Sequence, residues 1–282
     1  MRAARRVGMV ILASLALVFA VREGVRYGLP GHLKVHPQGA RTPGTLGLKY
    51  EAFTFESRGR ALQAFFVPAD GPALLIFHGN GESISGWVPA LRLLHDGGVA
   101  AMVFDYGGFG NSQGKPGFAQ LHADGLAAWQ AFRARLSPGQ RACAYGLSLG
   151  TGVLLDVAAE LSPAPDCVAL SGAFLSLRDA AGRLGGYPDL AVRVFMPDVF
   201  DNLEHIAQVQ SPLLIEHGSE DELFPPAWAQ RLKDANARAE VVIIPGMHHG
   251  DPVVHPSAQA WDPVLRLVRS EPLAAQGGRG PK

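Results

Sequence analysis

The 282-residue chain lacks any excess of charge: 25 Lys and Arg stand against 25 Asp and Glu, a formal net charge of zero. Without a basic surplus there is no electrostatic footprint for nucleic acid, which is not expected as a partner. Cysteine is nearly absent. Cys143 and Cys167 are the whole complement, too few for a disulfide scaffold and without zinc-type spacing. Each sits in a short apolar run and reads as a buried thiol, with a disulfide open to the pair if their strands are neighbours. No internal repeat is visible. The chain also lacks an apolar run of the ~20 residues that span a bilayer. Its longest, "GMVILASLALVFAV" at 8–21, is short of that.

That run has a distinctive setting. Arg2, Arg5 and Arg6 precede it, and Arg22, Glu23 and Arg26 follow. A basic start before an apolar core is the layout of a secretory signal, and Val18 and Ala20 suit a cleavage site after Ala20. The expectation for residues 1–27 is therefore a signal anchor or a cleaved signal peptide. The first would be a transmembrane helix and give a membrane partner. In both cases the main domain is exported, periplasmic or extracytoplasmic, and secreted if cleavage occurs. Residues 28–47, with several Gly and Pro, read as a linker. Residues 48–269 form one domain, and 270–282 read as a disordered tail.

With 48% hydrophobic residues, one domain of this length can bury a large core. "EAFTFES" and "ALQAFFVP" form an expected hairpin around Arg58–Gly59. Six apolar runs follow, each ending in a Gly-containing turn: "ALLIFHG", "AAMVFDYGG", "ACAYGLS", "CVALSG", "PLLIEHG" and "VVIIPG". Helix-length segments at 85–96, 118–136, 149–161, 227–235 and 257–269 separate most of them. Strands alternating with helices imply βαβ units and a mainly parallel sheet, buried on both faces. In such sheets chemistry gathers at the carboxyl ends of strands.

"GLSLG", 146–150, fits G-x-S-x-G between an apolar run and a helix-like segment. A serine in a sharp strand-to-helix turn needs small neighbours, because side chains at its flanks would collide with strand and helix. Ser148 is the candidate nucleophile. "FHGNGES" follows another strand, where a glycine-rich turn can offer a backbone N–H to an oxyanion. Asn80 is the candidate donor there, with the Leu149 N–H as the second. His78 is read as a support of the loop, and Asp105 as structural. "HGSEDELFPP" supplies Glu220, Asp221 and Glu222, of which one would orient an imidazole and two would be solvated. "PGMHHGD" brings His248 and His249 after the last strand. A metal reading of His248, His249, Asp251 and His255 leaves the serine and acid motifs unexplained, so no metal and no cofactor is called for.

The chain resembles the α/β-hydrolase superfamily from about residue 51 to 268. Five motifs in order carry the likeness: "HGNGES", "DYGGFGNSQG", "GLSLG", "HGSEDELFPP" and "GMHHGD". It is most similar to small membrane-anchored serine hydrolases with a minimal cap, a branch that includes protein depalmitoylases and bacterial members. The resemblance implies an α/β-hydrolase fold: an eight-stranded, mostly parallel sheet with helices on both faces and a small cap insertion at about 175–210. It implies Ser148 as nucleophile, Asp221 as orienting acid, and backbone donors at Asn80 and Leu149. Spacing does not choose between the histidines. The family pattern, with Asp two residues after the base, selects His249. The family often has Arg where this chain has Gly107.

The expected activity is cleavage of carboxylic esters or thioesters of a small-molecule or acylated substrate through a Ser-His-Asp triad. An aminopeptidase-like serine peptidase and a catalytically silent binding protein are the alternatives. In the cap, Leu184, Tyr187, Leu190, Val194, Phe195, Met196 and Phe200 either line an apolar acyl pocket or bury the cap against the core. Trp87, Phe109 and Phe224 are similar cases on strand-end loops. Substrate-binding residues and oligomeric state are unknown from sequence.

Overall fold

The structure is a computed structural model that describes residues 16–25, 28, 33, 39–186, 188–196 and 199–270. Its centre is one eight-stranded sheet in the order β1-β2-β4-β3-β5-β6-β7-β8. Strands β1 (Glu51–Ser57) and β2 (Arg60–Val67) form the antiparallel hairpin. Strand β2 then pairs antiparallel with β4 (Ala100–Phe104), and all further pairs are parallel. Those strands are β3 (Ala73–Phe77), β5 (Ala142–Leu147), β6 (Cys167–Ser171), β7 (Leu213–Gly218) and β8 (Ala239–Ile244). Strands β3 to β7 are buried along their whole length, which is why they read as unbroken apolar runs. Edge strand β1 is largely exposed.

Helices cover both faces. On one side lie α3 (Phe118–Arg133), α4 (Leu149–Ala158) and α8 (Ala227–Ala235), whose Trp129, Phe132, Leu154 and Leu232 join one core cluster. On the other lie α2 (Val88–Asp96) and, after the short α9 (Asp251–Val254), α10 (Ala258–Val268), where Leu91, Trp261 and Leu265 pack in a second cluster around Trp87. Between β6 and β7 the chain forms the cap: α5 (Leu177–Gly185), α6 (Asp189–Phe195) and α7 (Asn202–Ile206). Cys143 and Cys167 are register partners on β5 and β6 and form a disulfide.

The membrane expectations are overturned. Among the described residues no helix is long and apolar enough to cross a membrane. The membrane-anchored, exported localisation and the membrane partner built on a transmembrane anchor fall with it. The apolar run is too short, and Arg22 and Glu23 close it. Helix α1 is described over 16–25, and its Val21 and Val25 line a cavity within the protein. Residues 1–15, which carry most of the proposed signal, lie outside the described residues. So do 271–282, Tyr187 and most of 26–38.

Several polar side chains are buried among the apolar ones, and Glu216 is the one with the largest consequence for stability. Glu216 of β7 is fully buried beside Ser171, its register partner on β6, and neither carboxyl oxygen has a hydrogen-bond partner among the described residues. Burial pushes its carboxyl from 4.5 up to about 8, with Ser171 opposing the shift. A raised native pKa means that the folded protein holds a proton the unfolded chain releases. The contribution to stability is complete below about pH 4.5. It then falls by ~1.4 kcal/mol per pH unit until the native group itself ionises near pH 8. Glu216→Gln is expected to flatten this decline and raise Tm at pH 8. Thermal melts of both proteins from pH 5 to 9 check this; parallel Tm–pH curves would contradict it.

Candidate active site

Every candidate residue lies at the carboxyl end of a strand. Ser148 follows β5 and sits at φ 51°, ψ −118°, a left-handed conformation rare for a side-chain-bearing residue. Two glycines permit this turn. A Cβ on Gly146 would lie 2.7 Å from the Gly150 carbonyl oxygen, and one on Gly150 only 1.9 Å from that of Phe77. Strand, elbow and helix α4 therefore close on each other only with glycine at both places. The Ser148 N–H donates to the Ser171 carbonyl at 3.0 Å, and its own carbonyl accepts from Thr151 N–H at 2.9 Å. The elbow is thus held by backbone, leaving the hydroxyl free of a structural task. Leu149, the first residue of α4, is in the first turn, where amides lack intrahelical acceptors.

Asp221 follows β7 and its carboxylate is fully engaged. Oδ1 accepts from the N–H groups of Leu223 (2.9 Å) and Phe224 (2.8 Å). Oδ2 lies 2.7 Å from His249 Nδ1 and 3.2 Å from His217 Nε2. Burial alone would raise this carboxyl. The contacts from His217 and His249 and the Phe224 N–H outweigh it and hold Asp221 well below the usual carboxylate range. Glu220 and Glu222 are exposed, as a solvated loop requires.

The histidine doublet divides cleanly. His249 is buried, its Nδ1 on Asp221 and its Nε2 without a hydrogen-bond partner among the described residues. Phe224 packs edge-on to its ring at 5.2 Å. Gly172 makes room for that ring: a Cβ there would stand 2.9 Å from His249 Cε1. Because Gly172 directly follows the Ser171 carbonyl that holds Ser148, the elbow and the imidazole flank one short loop. His248 is more than half exposed and turns to the acidic loop, 3.5 Å from Glu222 and 3.8 Å from Glu220. Its N–H donates to Asp251 Oδ2 at 2.8 Å, so Asp251 shapes the loop.

The loop after β3 carries Asn80 in an exposed turn. Glu82 closes that turn: its Oε2 accepts both the Gly79 N–H and the Trp87 indole N–H, each at 2.8 Å. Burial pushes the Glu82 carboxyl up, against the lowering effect of His78 and these two donors. His78 is fully buried, 2.8 Å from the Gly79 carbonyl and 3.5 Å from Asp105, which in turn accepts the Ile84 N–H. Burial would lower the His78 pKa, but Asp105 prevails and raises it. Both residues therefore brace the loop. Near Gly107, the Arg60 guanidinium arrives from β2, 3.3 Å from where a Cβ would stand. A positive group thus reaches, from another strand, the neighbourhood of the missing family arginine.

Two residues of this site were not singled out in the sequence. His217 is hidden in the apolar end of β7, and its Nε2–H is shared between Asp221 and the Phe224 carbonyl at 3.0 Å. Glu82 has a local signal, a carboxylate three residues after the glycine whose amide it accepts. Among the described apolar cap residues, Leu184, Phe195 and Met196 line a cavity beside Leu149. Leu190 is exposed, and Phe200 is buried in the core against Phe118. Trp87 and Phe109 are fully buried core residues.

Known proteins share this architecture. The Hydrolase_4 family, described as serine aminopeptidase S33, matches residues 70–197. An uncharacterised protein of Mycobacterium tuberculosis is 30% identical over 225 residues, covering 77% of this chain and 78% of that one. Alpha/beta hydrolase domain-containing protein 17B of Xenopus laevis is 32% identical over 206 residues, 70% of this chain and 68% of its own. Pyrococcus furiosus esterase Pf2001 superposes with a TM-score of 0.68 over 84% of this chain and 99% of its own, at 17% identity. The fold, the strand-end motifs and the identity to a named relative over more than two thirds of its length agree: the chain belongs to the α/β-hydrolase superfamily.

Proposed function

We propose that the protein is a serine hydrolase that cleaves carboxylic ester or thioester bonds through an acyl-enzyme on Ser148. One observation carries the reading: His249 is anchored on Asp221 at 2.7 Å and keeps a buried, unpartnered Nε2. Such an imidazole has a fixed tautomer and a lone pair left for a hydroxyl proton. In the proposed reaction His249 Nε2 takes the Ser148 proton and Oγ attacks the carbonyl carbon. The N–H groups of Asn80 and Leu149 hold the oxyanion. Collapse breaks the bond to the alcohol or thiol, which leaves with the proton from His249. Water, deprotonated by the same His249, then releases the acid. The hydrolase unit is residues 48–269, with the cap at 175–210. The likeness to protein 17B supports a place among small serine hydrolases with a minimal cap, the branch that includes depalmitoylases.

Serine aminopeptidase activity is the second reading, favoured by the description of the matching family. It needs a carboxylate for the substrate amine. Glu82 is the acid of the oxyanion loop, but its Oε2 is already taken by two N–H donors. Turnover of p-nitrophenyl esters beside aminoacyl p-nitroanilides separates the two. Ester turnover is expected to dominate; anilide turnover with no ester turnover would overturn the reading.

His217 is a positioning residue for Asp221. A hydrogen bond to a charged group contributes ~1.5–3 kcal/mol, about ten- to hundredfold in rate. His217→Phe is expected to lower kcat by that factor with KM little changed, and His217→Gln to recover part of it. Steady-state kinetics on a p-nitrophenyl ester checks this; a loss confined to KM would contradict it.

A further inference from the structure

A cavity of about 940 Å³ lies beside the nucleophile elbow and is not part of the proton-transfer machinery. Val21, Gly24 and Val25 of α1 line it together with Ala181 and Leu184 of α5, and every described residue along it is apolar. It is also lined by Leu149, the residue directly after Ser148. A carbonyl bonded to Ser148 would therefore have this cavity beside it.

Small and large residues share its lining. Gly24 lines it, and a Cβ there would meet nothing within 4 Å. Large apolar side chains at the same cavity stay partly open to solvent: Val21 is 38% exposed, Leu184 57% and Phe195 36%. In a folded protein such surface gains from being covered by an apolar ligand. No described lining residue carries a polar side chain to hold a charged group. An unbranched hydrocarbon chain matches this lining.

We propose that α1 is a wall of the acyl-chain subsite and sets the chain length that the enzyme accepts. The proposal rests on the serine hydrolase reading for its acyl group, and its test separates the two. The apolar N-terminal segment thereby acquires a task in substrate selection. Filling the space at Gly24 shortens the usable cavity, and leucine in place of glycine also favours the helix, so the variant folds.

The experiment uses the full chain and compares p-nitrophenyl octanoate with p-nitrophenyl acetate. Gly24→Leu is expected to lower the octanoate-to-acetate ratio of kcat/KM by about tenfold or more. Leu190→Trp, on the exposed part of the cap outside the cavity, is expected to leave the ratio within about twofold. An unchanged ratio in Gly24→Leu, or a wild-type preference for acetate, overturns the proposal. A binding arm needs no turnover: Ser148→Ala is titrated with 11-(dansylamino)undecanoic acid, alone and combined with Gly24→Leu. Saturable binding weakened by Gly24→Leu supports the wall, even if no ester is hydrolysed and the catalytic reading fails. No saturable binding, or equal binding by both proteins, overturns it.

Discussion

Ser148→Ala is expected to lower kcat on a p-nitrophenyl ester by about 10⁵-fold or more, with the fold intact. The magnitude follows from the loss of the covalent route, since no other group stands at the elbow to form the acyl-enzyme. The intact fold follows from how the residue is held. Its structural bonds run through its own N–H to Ser171 and its own carbonyl to Thr151, and alanine keeps both. The strained φ of 51° is imposed by Gly146 and Gly150 closing against backbone, which the substitution does not touch. Steady-state rates beside a thermal melt check this. Residual activity above about one per cent of wild type, from a properly folded variant, would remove Ser148 from the reaction.

His249→Ala is the second large effect, a loss of about 10⁴-fold or more in kcat, against less than about tenfold for His248→Ala. The two side chains are neighbours in sequence with opposite surroundings. His249 is buried against Phe224 and Gly172 with its Nδ1 on Asp221. His248 is exposed and faces Glu220 and Glu222, and such surface pairs contribute little. Its backbone N–H to Asp251 survives truncation of the side chain. Parallel kinetics of the two variants check this, and the reverse order of losses would exchange their roles.

The sheet was legible in the sequence because its inner strands are buried on both faces. A strand with no solvent side has no alternation to disguise it, so "ALLIF" or "CVALS" shows as a plain apolar run. Helices starting from an elbow or a capping serine were legible too: 149–161 and 257–269 were expected where α4 and α10 lie. The helices inside the cap were not, because α6 and α7 have only seven and five residues, too few turns to show a period. Phe200 is open from sequence to a pocket or a core role, and its packing against Phe118 places it in the core.

At the site, Ser148, Asp221 and His249 stood out because motif and strand end coincide. His217 and Glu216 did not. Both are polar residues inside an apolar strand, and their roles depend on Asp221 and Ser171, which the fold brings beside them. The disulfide depended in the same way on β5 and β6 being neighbours. The N-terminal run reads from its pattern as a membrane signal, yet Val21 at its end lines a cavity of the protein, while Leu17 and Phe19 are exposed. A hydrophobicity pattern alone does not separate that use from a membrane.

The most direct measurement is fluorophosphonate labelling of the folded protein, with the modified peptide identified by mass spectrometry. A serine activated by a buried, Asp-anchored imidazole is expected to be labelled at Ser148 alone, and Ser148→Ala to take up no label. A folded wild-type protein that does not react, or an adduct on any other residue with Ser148 unmodified, would contradict a nucleophilic Ser148.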